Sequence, residues 1–347
     1  MKTGRSLTEL CAELDYQNEM KEDFVVDTSA LKLEDDGLTL RIQSDRETEL
    51  LPLAQRQVGE RLGIPYKYFN RMASEAPELL ATNVNHWFER NPERRMLRMM
   101  AGETRAFLSD RYLRRDNYDL MQFILPTLKE IGGLQVASCE VTDHKLYLKM
   151  TTPRIQEEIR EGDIVQAGLV VSNSEVGLGA FKVQPLVLRL VCMNGMIAND
   201  HSINKYHIGR RITVEEEVQQ LYTDETLRAD DEAFWLKCRD IVKASMNDET
   251  FSIIVQQLAR ASEIPVEIPA SEAVQRLSKK YTFNQNEQDN VLASLLVEND
   301  LTMYGLSNAV TRASKEIPSY DRATELEAVG GQIITLKDSE WKELAVA

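Results

Sequence analysis

The spacing of apolar positions predicts helices through most of the first ninety residues. A helix is predicted over residues 7–19, a helix–turn–helix over residues 50–74 and another helix over residues 77–90, because apolar side chains recur there at helical spacing. One short strand, GLTLRI at residues 37–42, interrupts this pattern after turn-forming residues. The beginning of the chain is therefore predicted to be mainly helical.

From residue 94 the apolar period changes to two, which is typical of strands. Residues 94–110 predict a hairpin that turns at Ala101–Glu103, and arginines alternate with methionines on its first arm. An amphipathic helix follows over residues 116–133. Its internal Pro126 is expected to kink or divide it.

The segment GLVVSNSEVGLGAFKVQPLVLRLVC, residues 168–192, carries two glycines between apolar runs. A phosphate-binding loop would need GxxxxGK[ST] at the start of a helix. Gly179 is instead followed by β-branched and aromatic residues with no helix start. We therefore predict a hairpin whose second strand, Leu186–Cys192, is central and covered on both faces, with Arg189 as its charged residue.

After His207 the pattern is mainly helical, and it ends in a short predicted strand at residues 332–336. The predicted fold class is α+β: a mixed, mainly antiparallel curved sheet with flanking helices, followed by an acidic helical C-terminal section. Three sections are predicted: an N-terminal helix and strand (1–48), a helical hairpin with the antiparallel sheet core (49–211), and a helical section that packs on this core (212–347).

Composition narrows the class of protein. The chain has 347 residues, of which 43% are hydrophobic, so it can bury a full core. No signal-peptide pattern and no uninterrupted apolar run of membrane-spanning length is present. The four cysteines are scattered without CxxC spacing, which argues against a zinc ribbon or a dithiol redox site. A soluble cytoplasmic protein is expected.

The formal net charge of −15 is spread unevenly. It is −7 for residues 1–60, +4 for residues 61–211 and −12 for residues 212–347. An acidic total argues against indiscriminate nucleic-acid binding, because affinity for phosphates is built from clustered cations. A local basic groove in the middle of the chain is compatible with these charges.

Three segments carry a resemblance to a known family: RAFLSDRYLRRDNYDLM (105–121), the glycine-containing segment VVSNSEVGLGAFKVQPLVLRLVCMNGM (170–196), and YGLSNAVTRASKEIPSYDRATELEAVGG (304–331). Together they resemble the phage/plasmid-like proteins called domain of unknown function 932, in order over roughly residues 50–331. The resemblance implies a setting on prophages, plasmids and other mobile elements, beside recombination and anti-defence genes. It implies no catalytic residues.

Eight arginines fall between residues 90 and 115, interleaved with Trp87, Phe107 and Tyr112. Arginines on a strand with aromatic neighbours suit a single strand of nucleic acid, since guanidinium groups bind phosphates and rings stack on bases. The alternative is a salt-bridged sheet face, because acids are frequent in the same stretch. The candidate nucleic-acid-binding residues are Lys67, Arg71, Arg94, Arg95, Arg98, Arg105, Arg111, Tyr112, Arg114, Arg115, Arg210 and Arg211.

The segment QRQVGERLGIPYKYFNRM has the requirements of a DNA-binding helix–turn–helix. Gly59 supplies a small residue in the first helix and Gly63 supplies the turn. The second helix would present outward a set of polar and aromatic residues: Tyr66, Lys67, Tyr68, Asn70 and Arg71. The alternative is an ordinary helical hairpin that packs on the sheet.

No catalytic, cofactor or metal site is assigned. Cys192, His201 and His207 match no nucleophile or metal spacing that chemistry requires. The acidic helices after Glu215 suit a solvated face, a self-association surface, a face for a basic partner or a mimic of DNA charge.

The leading hypothesis is a non-enzymatic protein of a phage, prophage or plasmid that binds single-stranded DNA and anneals or protects it. A homo-oligomer is expected, with a host or phage protein as a further possible partner and no membrane. The alternative is an acidic interaction protein or DNA mimic that inhibits a host defence factor.

Overall fold

The computed structural model describes residues 1–43, 45–112, 114–179, 181–198, 224–244 and 246–346. The helices are α1 (Leu7–Met20), α2 (Pro52–Leu62), α3 (Tyr66–Glu75), α4 (Pro77–Arg90), α5 (Asn117–Ile131), α6 (Asp224–Ala244), α7 (Asp248–Ser262), α8 (Ala270–Tyr281), α9 (Gln285–Glu298), α10 (Met303–Ala313), α11 (Tyr320–Ile334) and α12 (Asp338–Ala345). The strands are β1 (Lys21–Asp27), β2 (Leu31–Leu33), β3 (Thr39–Ile42), β4 (Arg46–Glu49), β5 (Arg94–Met100), β6 (Glu103–Ser109), β7 (Gln135–Val141), β8 (Leu146–Arg160), β9 (Asp163–Asn173), β10 (Lys182–Arg189) and β11 (Asn194–Ile197).

The chain divides into two compact units. The large unit comprises Met1–Leu10, Asp119–Asn173 and Ala180–Ala347, and the small unit comprises Cys11–Tyr118 and Ser174–Gly179. The three predicted sections follow other boundaries, one of which lies outside the described residues. They stay a prediction.

The small unit contains two antiparallel sheets, in the orders β1-β5-β6 and β2-β3-β4. One apolar core joins them to the helices, with Leu33 and Leu97 contributed by strands and Phe69 and Phe88 by α3 and α4. The predicted hairpin of residues 94–110 is confirmed as β5 and β6. β1 was not predicted, because four of the seven residues in KEDFVVD are charged and hide the alternation of a strand.

The large unit is built on a curled antiparallel sheet in the order β11-β10-β9-β8-β7. Its helices pack on this sheet, as shown by one buried cluster that includes Val165 and Val187 from strands and Phe251 and Leu306 from α7 and α10. The α+β class with a helical C-terminal region is thus confirmed. The strand predicted over residues 186–192 is β10, which ends at Arg189 and is second in the sheet order instead of central. Its residues 186–189 are buried as predicted, but Val191, in the turn that follows, is 66% exposed.

Arg189, the charged residue of that strand, is held by carboxylates. Its guanidinium lies 2.7 Å from Asp163 and 2.7 Å from Glu298. A second pair, Lys149 and Glu327, is fully buried with 2.6 Å between Nζ and Oε2. Burial lowers the pKa of Lys149, and Glu327 offsets this effect only in part. These two cations, Arg189 and Lys149, are therefore paired, as burial requires.

The strand predicted at residues 332–336 is wrong, because α11 continues through Gly330 and Gly331 to Ile334. These glycines do not end the helix. They allow α11 to pack closely against β11 and α10. A Cβ on Gly331 would lie 2.0 Å from the carbonyl oxygen of Ile197, and one on Gly330 would lie 2.3 Å from the Thr311 methyl group. The division of a helix at Pro126 is also absent, since Pro126 lies inside the undivided α5.

Candidate nucleic-acid interface

Arg98 points from the middle of β5 into the small unit, where its side chain is fully buried. Its guanidinium donates to Asp23 at 3.0 Å, to Asp116 at 2.6 Å and to the backbone carbonyl of Glu175 at 2.9 Å. Lys21 adds a second cation, since its Nζ donates to the other oxygen of Asp116 at 2.6 Å. We call these residues the Arg98 cluster.

Burial and neighbouring charges shift the pKa values of Arg98 and Asp116 in opposite directions. Burial by itself lowers the pKa of Arg98, but the carboxylates of Asp116 and Asp23 outweigh burial and raise it. Burial likewise raises the pKa of Asp116, whereas Arg98 and Lys21 lower it, and the net direction is down. Arg98 is therefore charged and neutralised inside the protein, and it has no exposed surface to offer to a strand.

The loop formed by residues 174–179 belongs to the same part of the small unit. The carboxylate of Glu175 accepts from Nη2 of Arg105 at 2.5 Å, and the hydroxyl of Tyr112 donates to the carbonyl of Ser174 at 3.0 Å. Two predicted binding residues thus hold this loop in place. The prediction of a hairpin instead of a phosphate-binding loop is confirmed, because β9 and β10 pair on either side of it.

The two arginines that begin β5 also stand next to carboxylates. Nε of Arg95 donates to Glu93 at 2.8 Å, and its guanidinium lies 5.7 Å from the ring centre of Phe107. Arg94 is exposed and stands opposite Asp27 in the pairing of β5 with β1. Of the two arginines, Arg94 is the one with an exposed side chain.

The segment after β6 carries three more candidates. Arg111 and Arg114 are exposed, whereas Arg115 is half-buried. Nε of Arg114 lies 3.4 Å from the carboxylate of Asp23, at the margin of the Arg98 cluster. The last two candidates lie outside the described residues: Arg210 and Arg211.

α2 and α3 form the predicted helical hairpin. Gly63 ends α2 with φ 71°, in the left-handed region that favours glycine. A Cβ on Gly59 would lie 3.0 Å from the carbonyl oxygen of Ile64 and 3.3 Å from the ring of Phe69, so a small residue is required where the helices meet. Apolar residues lock the two helices together: Val58, Ile64, Phe69 and Met72 are buried, and Leu62 is partly buried against the same core.

α3 directs its cations and an aromatic ring away from this lock. Lys67 and Arg71 are exposed and stand one helical turn apart, and Tyr68, three residues before Arg71, has half of its surface (50%) exposed. Nε of Arg71 lies 2.9 Å from Glu75, in an exposed pair of a kind that contributes little to stability. α3 therefore offers one exposed aromatic ring and two exposed cations to solvent.

α4 adds a second aromatic ring with a cation. Trp87 is 38% exposed, and the guanidinium of Arg90 lies 6.0 Å from its ring centre. A contact between Arg61 at the end of α2 and Glu93 just after α4 places the start of α3 and the end of α4 at the same end of these helices. We define the α3–α4 surface as Lys67, Tyr68, Arg71, Trp87 and Arg90.

The sequence analysis placed Trp87 and Arg90 in the arginine-rich stretch but did not include them among the candidate binding residues. The helical spacing of α4 could have indicated them, because its buried positions leave both residues outside the apolar stripe: Leu80, Ala81, Val84 and Phe88. Two partners of Arg98, Asp23 and Glu175, left no such signal, since they come from distant parts of the chain.

Catalytic and metal chemistry finds little support among the described residues. Burial raises the pKa of the Cys192 thiol, although Arg189 donates to its sulfur at 3.2 Å. A neutral thiol is a weak nucleophile. His201 and His207 lie outside the described residues. Where side chains are described, no three or more His, Cys, Asp and Glu residues are grouped to hold a metal ion.

None of the described helices has the length and apolar character needed to cross a bilayer.

Comparison with known proteins places the chain in a family. The model of the domain of unknown function DUF932 matches residues 106–320, which is more than half of the chain. The chain belongs to the DUF932 family. The resemblance to DUF932 is thereby confirmed over residues 106–320 instead of roughly 50–331, whereas the setting on mobile elements stays a prediction. The matched DUF932 region includes Arg111 and Asp116 but not the α3–α4 surface. Neither the curated proteins nor the solved structures gave a match.

Proposed function

We propose that this DUF932 protein binds single-stranded DNA through the α3–α4 surface and performs no chemistry on it. The observation that carries the proposal is the half-exposed ring of Tyr68 on the same helix as the exposed cations Lys67 and Arg71, with Arg71 one turn after Tyr68. A single strand offers unstacked bases, which stack on aromatic rings, and phosphates, which cations bind. One turn of α3 supplies groups for both contacts.

Trp87 and Arg90 support the same proposal from α4. Large aromatic side chains are usually buried on account of their apolar area, so an exposed Trp beside a cation is a candidate stacking platform. With Tyr68 it would provide a second position for a base. A strand bound to both rings would run across the ends of α3 and α4.

The proposed site differs from the hairpin favoured by the sequence. Arg98 is fully buried, and Arg105 is bonded to Glu175. The exposed residues Arg94, Arg111 and Arg114 stay in the proposal as additional phosphate contacts.

Fluorescence anisotropy with a labelled oligo-dT, at about 50 mM and about 200 mM salt, tests the proposal. The variant carries Lys67→Ala, Tyr68→Ala and Arg71→Ala. Loss of one stacking contact and two phosphate contacts should weaken binding at least about tenfold. It should also reduce the slope of log affinity against log salt by about 1.4, since each cation contributes about 0.7 on a single strand.

A variant with Lys32→Ala and Arg41→Ala is the matched control, because it removes two cations from β2 and β3 in the same unit. It should bind like the wild type if the α3–α4 surface is the site. The proposal is wrong if folded, nucleic-acid-free protein shows no salt-dependent binding of the oligo-dT. It is also wrong if the triple variant binds as tightly as the wild type.

A second candidate is duplex DNA, with α3 as a recognition helix. The observation that favours it is the turn between α2 and α3, where Gly59 and Gly63 match the requirements of a DNA-binding helix–turn–helix. The same titration with a duplex of equal length distinguishes the two. Tighter, sequence-dependent duplex binding that needs Lys67 and Arg71 would replace the single-strand proposal.

The wider role we propose is annealing or protection of single strands in the cytoplasm, on behalf of a phage, prophage or plasmid, by a homo-oligomer. All four cysteines are free of disulfides, which is typical of a reducing compartment. The alternative is an acidic inhibitor or DNA mimic, in keeping with the net charge of −15. It predicts no DNA binding and a stable complex with a basic host defence protein.

A further inference from the structure

β1 is the outer strand of its sheet and is paired with β5 alone among the described strands. The N–H of Ala101 donates to the carbonyl of Met20, and the N–H of Thr28 donates to that of Glu93. Hydrogen-bonded pairs alternate along antiparallel strands, so the even-numbered residues of β1 bond to β5. The odd-numbered residues therefore direct their N–H and C=O groups away from the sheet: Lys21, Asp23, Val25 and Asp27.

These outward backbone groups form an open edge. No hydrogen bond joins them to any other residue that the structure describes. The side chain of Val25 is 38% exposed. The strand has neither a proline nor a bulge, which are two of the devices that keep edge strands from pairing.

The charges of β1 do not protect this edge either. Each charged side chain has an opposite charge next to it within the small unit: Lys21 beside Asp116, Glu22 beside Arg46, Asp23 beside Arg98 and Asp27 beside Arg94. A second strand would thus meet a neutralised edge instead of a repulsive one. An open seven-residue edge of this kind is a template for another strand.

We propose that two copies of this chain associate through β1, by antiparallel pairing of the two β1 strands about a two-fold axis at Phe24. The strand is complementary to itself in this register. Lys21 lies opposite Asp27 of the second copy, and Asp23 lies opposite Val25. All outward residues then face outward residues, so every outward N–H and C=O group of both strands is paired.

Phe24 occupies the two-fold axis as a non-hydrogen-bonded pair with its own copy, where cross-strand side chains approach most closely. Val25, exposed in a single chain, becomes covered. The dimer would carry two α3–α4 surfaces, which would raise the avidity for a strand long enough to reach both. The interface itself does not depend on nucleic-acid binding.

Size-exclusion chromatography with light scattering, over a range of protein concentrations, tests the interface. We expect a dimer for the wild type. Val25→Pro removes an outward N–H without removing a hydrogen bond to β5, and Val25→Lys places an uncompensated cation on the edge. Each should raise the dissociation constant of the dimer more than about tenfold, which corresponds to about 1.4 kcal/mol.

Val25→Thr is the control, because it keeps the N–H and a β-branched side chain and should stay dimeric. Circular dichroism identifies a variant that fails to fold. If Val25→Pro does, Val25→Lys decides, since it leaves the backbone unchanged. A wild type that is monomeric at every concentration overturns the proposal, as do folded Val25→Pro or Val25→Lys proteins that dimerise like the wild type.

Discussion

Arg98 and Arg71 carry the same guanidinium and lie in the same unit, yet they do opposite things. Arg98 is fully buried between Asp23 and Asp116, whereas the side chain of Arg71 is 68% exposed beside Glu75. Arg98 comes from the stretch with the highest density of arginines, which the sequence favoured as the binding site. The comparison teaches that the surroundings of an arginine, and not the local number of arginines, separate a stabilising role from a binding role.

The largest expected effect comes from Arg98→Met. It leaves Asp23 and Asp116 buried with fewer cations, and removal of one partner of a buried ion pair costs about 3–5 kcal/mol. Denaturant unfolding measures the loss. Arg71→Met is the matched control and should change the free energy of unfolding by less than about 0.5 kcal/mol. Equal losses for the two variants would contradict the contrast between the two arginines.

Tyr68 gives the next largest effect, on binding instead of stability. Tyr68→Ala should weaken binding of single-stranded DNA by about 1–3 kcal/mol, the usual loss for one stacked base. Tyr68→Phe keeps the ring and should bind like the wild type. Anisotropy titrations measure both. If Tyr68→Phe were as weak as Tyr68→Ala, the hydroxyl and not stacking would matter.

Acid titration should distinguish the buried cluster from the exposed surface. The pKa of Asp116 is lowered in the folded protein, so the unfolded chain binds a proton more readily. This contribution to stability is fully present above the unfolded value of about 3.9 and is lost as pH falls through the folded value. Unfolding curves between about pH 5 and pH 2 measure it. Asp116→Asn should flatten this dependence, and an unchanged slope would exclude Asp116 as its source.

Some of these features could be predicted from the sequence, whereas the buried surroundings of Arg98 could not. Local features were predictable: the hairpin of β5 and β6, the turn at Gly63 and the α+β class follow from periodicity and turn residues. The burial of Arg98 was not, because Asp23 lies 75 residues away in the chain and Glu175 lies 77 away. Asp23 belongs to a strand with no apolar alternation, and Glu175 belongs to a loop between strands of the other unit.

The smallest expected effect is also the sharpest test of the exposed arginine. Glu75 holds Arg71 in an exposed pair, and a bound phosphate would have to displace this carboxylate. Glu75→Gln removes the competitor and one negative charge near the strand, so affinity for single-stranded DNA should rise roughly two- to fivefold at low salt. The gain should shrink as salt is added, because screening weakens the carboxylate's effect.

Glu60→Gln, which frees Arg56 on α2 in the same way, is the control and should leave affinity unchanged. A gain of equal size in both variants would mean that net charge, and not the α3–α4 surface, governs binding.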